Sequence, residues 1–189
     1  MKSILLPLLF SALLMAGCGQ NEHHHNQTET VPAVTDVVRA YDAPEAFNAS
    51  YTIALEAYFD LKDALVLTDQ AAAAEKASAL VDAVSAVEHS GLEGEAHDVW
   101  MMHREVMITE ATRITGEGNV EEQRVHFDPL SESFIETVKS FQPVGFTVYE
   151  QMCPMVRGGS ANWLSREEQI ANPYHGDRML RCGSVVARI

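Results

Sequence analysis

The residues with the clearest chemical potential are two cysteines and two methionines near the C-terminal end of the chain. Cys153 is followed by Pro154 and Met155, and Met179 precedes Cys182 by three residues. Thiolate and thioether sulfurs are soft donors, which suit Cu(I) best and Zn(II) less well. Calcium and magnesium prefer oxygen donors and would bind poorly here. The pattern therefore predicts a soft-metal site formed by these four sulfur-bearing residues.

His175 is the marginal member of this predicted site. A zinc ion would recruit His175 or a carboxylate beside the two cysteines, whereas without a metal the same histidine would cap a turn before Gly176. Because no Cys-x-x-Cys pair is present, a second interpretation stays open. Two cysteines in an exported protein usually form a disulfide, and the methionines would then pack a small β layer onto the rest of the domain.

Composition and motifs argue against nucleic-acid binding and catalysis. Acidic residues outnumber basic residues by 27 to 13, and the formal net charge of −14 repels DNA, RNA and anionic lipid headgroups. The sequence contains no phosphate-binding loop, dinucleotide fingerprint or Ser-His-Asp arrangement. Cys153 with His175 could imitate a thiol hydrolase, but no residue that would orient the histidine is evident. We therefore expect a protein that is not an enzyme.

The first residues predict export and lipid anchoring. Lys2 precedes an apolar run from Ile4 to Met15, which has the layout of a secretory signal and is too short to span a bilayer comfortably. The run leads into a Leu-Met-Ala-Gly-Cys sequence that ends at Cys18 and resembles a lipobox. Residues 1–17 are therefore predicted to be a lipoprotein signal peptide and Cys18 the lipidated residue. A secretory signal with an incidental cysteine is the alternative.

Residues 18–43 are predicted to form a flexible tether, because they are polar and lack hydrophobic periodicity. His23, His24 and His25 in this tether could capture a transition metal or simply belong to a solvated linker. Gly19 stands where an aspartate would retain a lipoprotein at the inner membrane. In a Gram-negative host, the protein is thus expected at the periplasmic face of the outer membrane, attached through its lipid only.

Residues 44–189 are predicted to form one domain, which begins with four helices. Apolar residues at three- and four-residue steps predict the first helix over residues 47–65. Asp69 is the predicted N-cap of a second helix that stops at Ser90 and Gly91. A third helix is predicted over residues 95–114, and a capping box of Asn119 and Glu122 opens the fourth. Similar lengths and short loops predict a mainly α fold, an up-and-down four-helix bundle.

After the bundle, the sequence predicts a small C-terminal β-hairpin and loop appendage. Residues 146–149 and 184–189 are the strand candidates, and turn-forming sequences lie between them. Ser165 with Glu168 is predicted to cap one short helix in this region. If the two strands pair, Cys153 at the end of one faces Cys182 at the start of the other. Gly183 would allow a close approach of the backbone there.

The third helix offers a second arrangement of possible ligands. His103 and Met107 are four residues apart and share a helix face, so a haem or copper site within the bundle is conceivable. A Cys-x-x-Cys-His haem attachment site and a Glu-x-x-His di-iron pair are missing. We therefore expect Met107 in the core and His103 partly solvated. His126 on the fourth helix could face either way.

The C-terminal motif resembles an uncharacterised bacterial domain family. The motif consists of Cys-Pro-Met at 153–155, Trp-Leu-Ser at 163–165, Asn-Pro-Tyr at 172–174, Met-Leu at 179–180 and Cys-Gly at 182–183. Gln123 and Arg124 in the fourth helix also fit, and the resemblance spans roughly residues 47–185. The family occurs as stand-alone exported proteins and fused to periplasmic adaptor subunits of copper and heavy-metal efflux systems. His175 departs from it, because the family usually has an aromatic residue there.

The resemblance implies a role in metal handling at the cell envelope. The leading expectation is a lipoprotein that binds a soft heavy-metal ion, Cu(I) before Zn(II), for sequestration or delivery to efflux. The alternative is a disulfide-stapled protein-interaction module that docks on an efflux adaptor or another envelope protein. The state of Cys153 and Cys182 distinguishes the two expectations.

Overall fold

The computed structural model describes residues 35–156 and 158–189. The predicted signal peptide, Cys18, and His23, His24 and His25 lie outside the described residues. The elements follow the order β1 (Thr35–Asp36), α1 (Glu45–Val66), α2 (Gln70–Ser85), α3 (Gly94–Gly116), α4 (Val120–Phe141), β2 (Tyr149–Val156), β3 (Gly159–Ser165), a 3-10 helix (Gly176–Met179) and β4 (Ser184–Arg188). In this part of the chain no helix is both long and apolar enough to cross a membrane.

The predicted starts of α2 and α4 are confirmed by their caps. The Asp69 side chain accepts a hydrogen bond from the backbone N–H of Ala72 at 2.9 Å, and the Asn119 side chain accepts one from Glu122 at 3.0 Å. Such caps satisfy backbone donors that have no partner within the helix. The α2 helix ends at Ser85, earlier than predicted. The residues that follow form a turn, in which the Glu88 carboxylate accepts a hydrogen bond from the Ser90 N–H.

The predicted four-helix bundle is confirmed, and aromatic side chains of α1 and α4 fill its core. The rings of Tyr58 and Phe134 have centroids 4.7 Å apart. The buried Tyr58 hydroxyl lies 2.8 Å from the hydroxyl of Ser131. Similarly, the Tyr51 hydroxyl lies 2.5 Å from that of Thr137. Because buried hydroxyl groups need partners, these two pairs fix the relative positions of α1 and α4 as well as filling space.

The C-terminal strands form a small sheet against the bundle, in the order β1-β4-β2-β3. The β2 strand pairs antiparallel with both β3 and β4, and the two-residue β1 pairs parallel with β4. The predicted β appendage is thus confirmed. The Tyr58 hydroxyl also accepts a hydrogen bond from the Leu164 N–H at 3.1 Å, which attaches β3 to α1.

Three details of the appendage differ from the sequence predictions. The β2 strand starts at Tyr149 and ends at Val156, so it lies later in the chain than the strand predicted over residues 146–149. The β3 strand was not predicted, and no helix starts at Ser165. Instead, the Ser165 hydroxyl accepts a hydrogen bond from the Glu167 N–H at 3.1 Å, which forms a local turn that competes with helix formation.

The last residues assigned to the tether pack against the bundle. The backbone N–H groups of Ala40 and Tyr41 both donate to the carbonyl oxygen of Ser140 at 3.0 Å. The Tyr41 ring lies 5.6 Å from that of Phe141, centroid to centroid. In addition, the Gln142 side chain donates to the carbonyl oxygen of Val37 at 2.7 Å. These contacts attach residues 37–41 to the C-terminal end of α4.

Candidate metal-binding site

Antiparallel pairing of β2 and β4 brings the two cysteines together. Met152 is opposite Ser184 in the register, so Cys153 lies beside the start of β4. The sulfur atoms of Cys153 and Cys182 are 3.1 Å apart. A disulfide bond measures about 2.05 Å, and both residues are free thiols in this structure. The predicted meeting of Cys153 and Cys182 is thus present, with Cys153 buried and Cys182 half-buried.

The contact between the thiols changes the acidity of Cys182. The hydrogen bond with Cys153 and, to a lesser degree, burial raise the pKa of the Cys182 thiol above its ordinary value. A raised pKa keeps the thiol protonated at neutral pH, and a thiol is a far weaker nucleophile and metal ligand than a thiolate. A metal ion that binds here must therefore displace protons.

Asn172 holds the loop that carries Cys182. The Asn172 side chain is fully buried and donates to the carbonyl oxygen of Cys182 at 2.9 Å. Its own carbonyl oxygen accepts hydrogen bonds from the backbone N–H groups of Tyr174 and His175, at 2.9 and 3.2 Å. The Asn172 side chain thus forms hydrogen bonds with backbone groups at the start of the loop, at residues 174 and 175, and near its end, at Cys182. This arrangement restricts the position of the second thiol.

Gly183 permits the close approach of β4 to β2. Its φ angle is +141°, a region that favours glycine. A Cβ atom at this position would lie 2.7 Å from the carbonyl oxygen of Met152 and 3.1 Å from the ring of Trp163. The close approach predicted from the sequence is confirmed, and it depends on the missing side chain.

The other three predicted ligands, Met155, Met179 and His175, do not form a closed set of donors with the thiol pair. Met155 is 61% exposed, at the outer end of β2. Met179 ends the 3-10 helix, and its carbonyl oxygen accepts a hydrogen bond from the Cys182 N–H at 3.0 Å. The Nε2 atom of His175 lies 3.0 Å from the carbonyl oxygen of Met155. Among the described residues no three His, Cys, Asp or Glu side chains converge as they would around a metal ion.

The hydrogen bond of His175 defines which of its atoms could bind a metal. A carbonyl oxygen only accepts, so Nε2 carries the hydrogen and Nδ1 has the free lone pair in the neutral ring. His175 also precedes the 3-10 helix directly. It thus stands in the turn before Gly176, but its side chain makes no capping hydrogen bond to that helix. The structure leaves Cys153 and Cys182 as the central pair of the candidate site.

A residue that sequence reasoning left without a role, Arg124, connects the bundle to this site. Its guanidinium group is 4% exposed. It donates from Nε to the carbonyl oxygen of Pro173 at 2.7 Å and from Nη2 to that of Leu65 at 2.8 Å. Its Nη1 atom pairs with Glu121 at 2.7 Å. The available signal was its position three residues before the core residue Phe127, on the apolar face of α4.

A cavity of about 350 Å³ lies between α4 and the loop that follows Asn172. Its lining contains both charged and aromatic groups, among them Arg124, Asp128, Tyr174, His175 and Arg178. Burial, followed by the nearby charge of Glu132, raises the pKa of Asp128. The cavity thus places a polar, partly enclosed space beside the loop that holds the second thiol.

His103 and His126, the two histidines of α3 and α4 that the sequence analysis considered, lie within the packing of these helices. Met107 is fully buried and His103 half-buried, as predicted, and burial lowers the pKa of His103. His126 turns toward α3, where Nδ1 lies 2.8 Å from Glu110 Oε2 and Nε2 lies 3.4 Å from Glu117 Oε1. These contacts link α4 to the end of α3. They also establish which way the His126 side chain faces, which the sequence left open.

The fold and the site define a class of protein, a four-helix bundle whose C-terminal antiparallel sheet carries two adjacent thiols. The model of a family described as a protein of unknown function (DUF3347) matches residues 54–144. The predicted similarity to an uncharacterised domain family is confirmed over these residues, which extend from α1 to just beyond α4. The thiol pair lies after the matched segment. No curated protein and no solved structure is similar to this chain at a significant level.

Proposed function

We propose that this protein is a lipid-anchored protein of the cell envelope whose Cys153 and Cys182 bind a soft metal ion, Cu(I) in preference to Zn(II). The observation that supports the proposal is the separation of 3.1 Å between the two thiols. Two sulfur donors this close, one on β2 and one in the loop before β4, can share one ion after a small side-chain movement, and thiolates select Cu(I). The half-buried position of Cys182 gives an ion access from solvent.

Met155 and Met179 are proposed to complete the coordination. Both are near the cysteines in sequence, and unbranched thioether side chains adapt readily to a ligand. The exposed Met155 side chain would fold over the bound ion, and the 3-10 helix would turn Met179 toward it. His175 would join only if a harder ion such as Zn(II) occupied the site. The bound metal would be stored or passed to an efflux system.

The resemblance of residues 153–183 to the metal-associated family motif adds support, as does the predicted lipid anchor. A protein with this role would be attached at Cys18 to the periplasmic face of the outer membrane in a Gram-negative host. Its partner would be a periplasmic adaptor of a copper or heavy-metal efflux system. Replacing Cys18 with Ser tests the anchor, because the protein should then leave the membrane fraction for the soluble fraction of cell extracts.

A Cu(I) titration against a calibrated chelator tests the metal site. The full chain carries Cys18→Ser in every sample, so that Cys153 and Cys182 are the remaining two of its three cysteines. It is kept reduced and in detergent. We expect one Cu(I) per chain, with affinity reduced at least 100-fold in the Cys153→Ser, Cys182→Ser variant. Circular dichroism checks that this variant is folded. Equal affinity in the two proteins, or no binding in either, would refute the proposal.

The same 3.1 Å separation supports a second candidate, in which the thiols are oxidised and the domain is a protein-interaction module. Exported proteins encounter an oxidising environment, and two thiols this close need little movement to form a bond. Mass spectrometry of protein from isolated envelopes, without reductant, separates the candidates. A chain lighter by two hydrogen atoms and free of metal favours the disulfide, whereas a chain with both thiols and bound copper favours the metal site.

A further inference from the structure

A pair of histidines lies at the other end of the bundle, where α2 ends and α3 begins. His89 belongs to the turn between these helices, and His97 to the first turns of α3. Their ring centroids are 6.1 Å apart and the ring planes are inclined by 34°. Neither residue takes part in the thiol site, whose loop is held by Arg124 of α4 beside the end of α1. The pair therefore requires its own explanation.

The hydrogen bond of His89 prepares its ring for a metal ion. Its Nδ1 atom lies 2.9 Å from the carbonyl oxygen of Val87. Because a carbonyl oxygen only accepts, Nδ1 carries the hydrogen, and in the neutral ring Nε2 keeps a free lone pair. Histidines that bind metals commonly donate their second N–H to a carbonyl or carboxylate in this way, which fixes the ring orientation.

The distance between the rings is close to what one shared ion requires. With metal–nitrogen distances of about 2.1 Å, two imidazole ligands of one tetrahedral metal have ring centroids about 5 Å apart. The observed separation is 6.1 Å, so the rings would move toward each other by about 1 Å on binding. Both side chains are also accessible, since His89 is half-buried and the His97 side chain is 42% exposed. An ion could therefore reach both rings from solvent.

The surroundings favour a cation. An Asp98 carboxylate oxygen lies 3.7 Å from His97 Nδ1, and Glu93 and Glu95 flank the start of α3. Water would fill the coordination positions that the two imidazoles leave open. Such a donor set differs from the thiol pair, because imidazole suits first-row divalent ions rather than Cu(I).

We propose that His89 and His97 form a second metal site, which binds an imidazole-preferring divalent ion such as Cu(II) or Zn(II). The general order of affinities places Cu(II) above Zn(II) at a site of this kind. The proposal does not depend on the soft-metal function, since the two sites share no residue. It assigns the α2–α3 end of the bundle a role in binding that neither the motif nor the family match supplies.

The test follows one histidine while the other is changed. The full chain is reduced, in detergent and labelled with ¹⁵N, and Zn(II) is the probe because it is diamagnetic. Imidazole nitrogen spectra resolve each histidine separately, so binding at the thiols or at His23, His24 and His25 does not interfere. We expect the Nε2 resonance of His89 and a ring nitrogen of His97 to shift together with a single dissociation constant.

The decisive variant is His97→Gln, in which the Zn(II)-dependent shift of His89 should need at least tenfold more metal. The matched control is His103→Gln, a change on the same helix, which should leave the His89 titration unaltered. The ring signals of the metal-free variants report whether the fold is intact. The proposal is wrong if His89 and His97 titrate independently, if neither shifts, or if His97→Gln leaves the His89 titration unchanged.

Discussion

Arg124 of α4 donates a hydrogen bond from Nε to the carbonyl oxygen of Pro173, at 2.7 Å. Through this bond a charged side chain inside the bundle holds the loop that leads to Cys182. The same guanidinium donates to the carbonyl oxygen of Leu65 at the end of α1, so it connects three parts of the chain. The thiol pair is thus supported by the helices even though it lies on the sheet.

Replacing Arg124 with Met should destabilise the protein by about 3 kcal/mol, because it leaves buried carbonyl groups without partners. The exposed Arg39, which pairs with Asp42 at 3.1 Å, provides the control. Arg39→Met should change stability by less than about 0.5 kcal/mol, as is usual for exposed ion pairs. Urea unfolding followed by circular dichroism measures both variants. Equal stability of the two would show that the Arg124 contacts contribute little.

Gly176 is a further point of contact between the loop and the bundle. Its φ angle is +56°, and a Cβ atom would lie 2.3 Å from Thr68 Oγ1 and 2.5 Å from Arg124 Nη2. Gly176→Ala should therefore cost about 1–2 kcal/mol for the left-handed backbone and about 1–3 kcal/mol for overpacking. Gly145→Ala is the control, since nothing lies within 4 Å of its Cβ position. Thermal unfolding should show a lower midpoint for the first variant only.

Local sequence signals predicted the helices and the meeting of the cysteines. Aspartate and asparagine often cap a helix when they precede an apolar repeat. Asp69 and Asn119 both do so here. The pairing of Cys153 with Cys182 followed from two strand candidates that lie on either side of turn-forming sequences. Both inferences needed only short-range patterns together with the expectation that sequential strands pair.

Long-range contacts account for what the sequence did not predict. The β3 strand contains Trp163 and Leu164 but also polar and small residues, and it is stabilised by pairing with β2 and by the hydroxyl of Tyr58, 106 residues away. Tertiary context of this kind routinely overrides local strand propensity. The role of Arg124 was missed for the same reason, because its partners Leu65 and Pro173 are distant in sequence.

The buried tyrosines predict a loss of stability at alkaline pH. Burial raises the pKa of Tyr51 and of Tyr58 well above the ordinary value. Above pH of about 10 the unfolded chain releases these protons while the folded chain keeps them. The unfolded state then binds fewer protons, so the free energy of unfolding falls as the pH rises. Urea unfolding from pH 8 to 11 should show this fall, and Tyr51→Phe should reduce its slope.

The Tyr51→Phe variant separates this effect from general alkaline destabilisation. At neutral pH it loses the hydrogen bond with Thr137, at a cost of about 1 kcal/mol. At pH 11 its stability should approach that of the unaltered protein, because one ionising group is missing. Parallel pH profiles for the two proteins would contradict the assignment of the alkaline slope to Tyr51.

Gly183→Ala should push the two thiols apart. The new Cβ atom would meet the carbonyl oxygen of Met152 at 2.7 Å, so the start of β4 must move away from β2. We expect the rate of disulfide formation between Cys153 and Cys182 in oxidised glutathione to fall at least tenfold. Gly118→Ala, at an open position, should oxidise at the original rate. Unchanged oxidation in Gly183→Ala would mean that the loop adapts without moving Cys182.

The acidity of Cys182 bears on how Cu(I) binding depends on pH. The pKa of Cys182 is raised by its hydrogen bond with Cys153 and by burial, and a cysteine binds a metal ion as the thiolate, so binding at the pair releases protons. The apparent Cu(I) affinity should then rise by up to about 100-fold per pH unit between pH 6 and 8, since two protons are released. Chelator competition at several pH values, corrected for the chelator's own protonation, measures the slope.

The Cys182→Ser variant provides the comparison for this slope. With one thiol left, a bound ion can displace at most one cysteine proton, and the rise should not exceed about tenfold per pH unit. A slope near zero in the unaltered chain would mean that the thiols are not the ligands, and attention would turn to their oxidation. A slope of two protons that falls to one in Cys182→Ser would instead identify Cys153 and Cys182 as joint ligands, because the variant removes one of the two thiols whose protons the metal ion displaces.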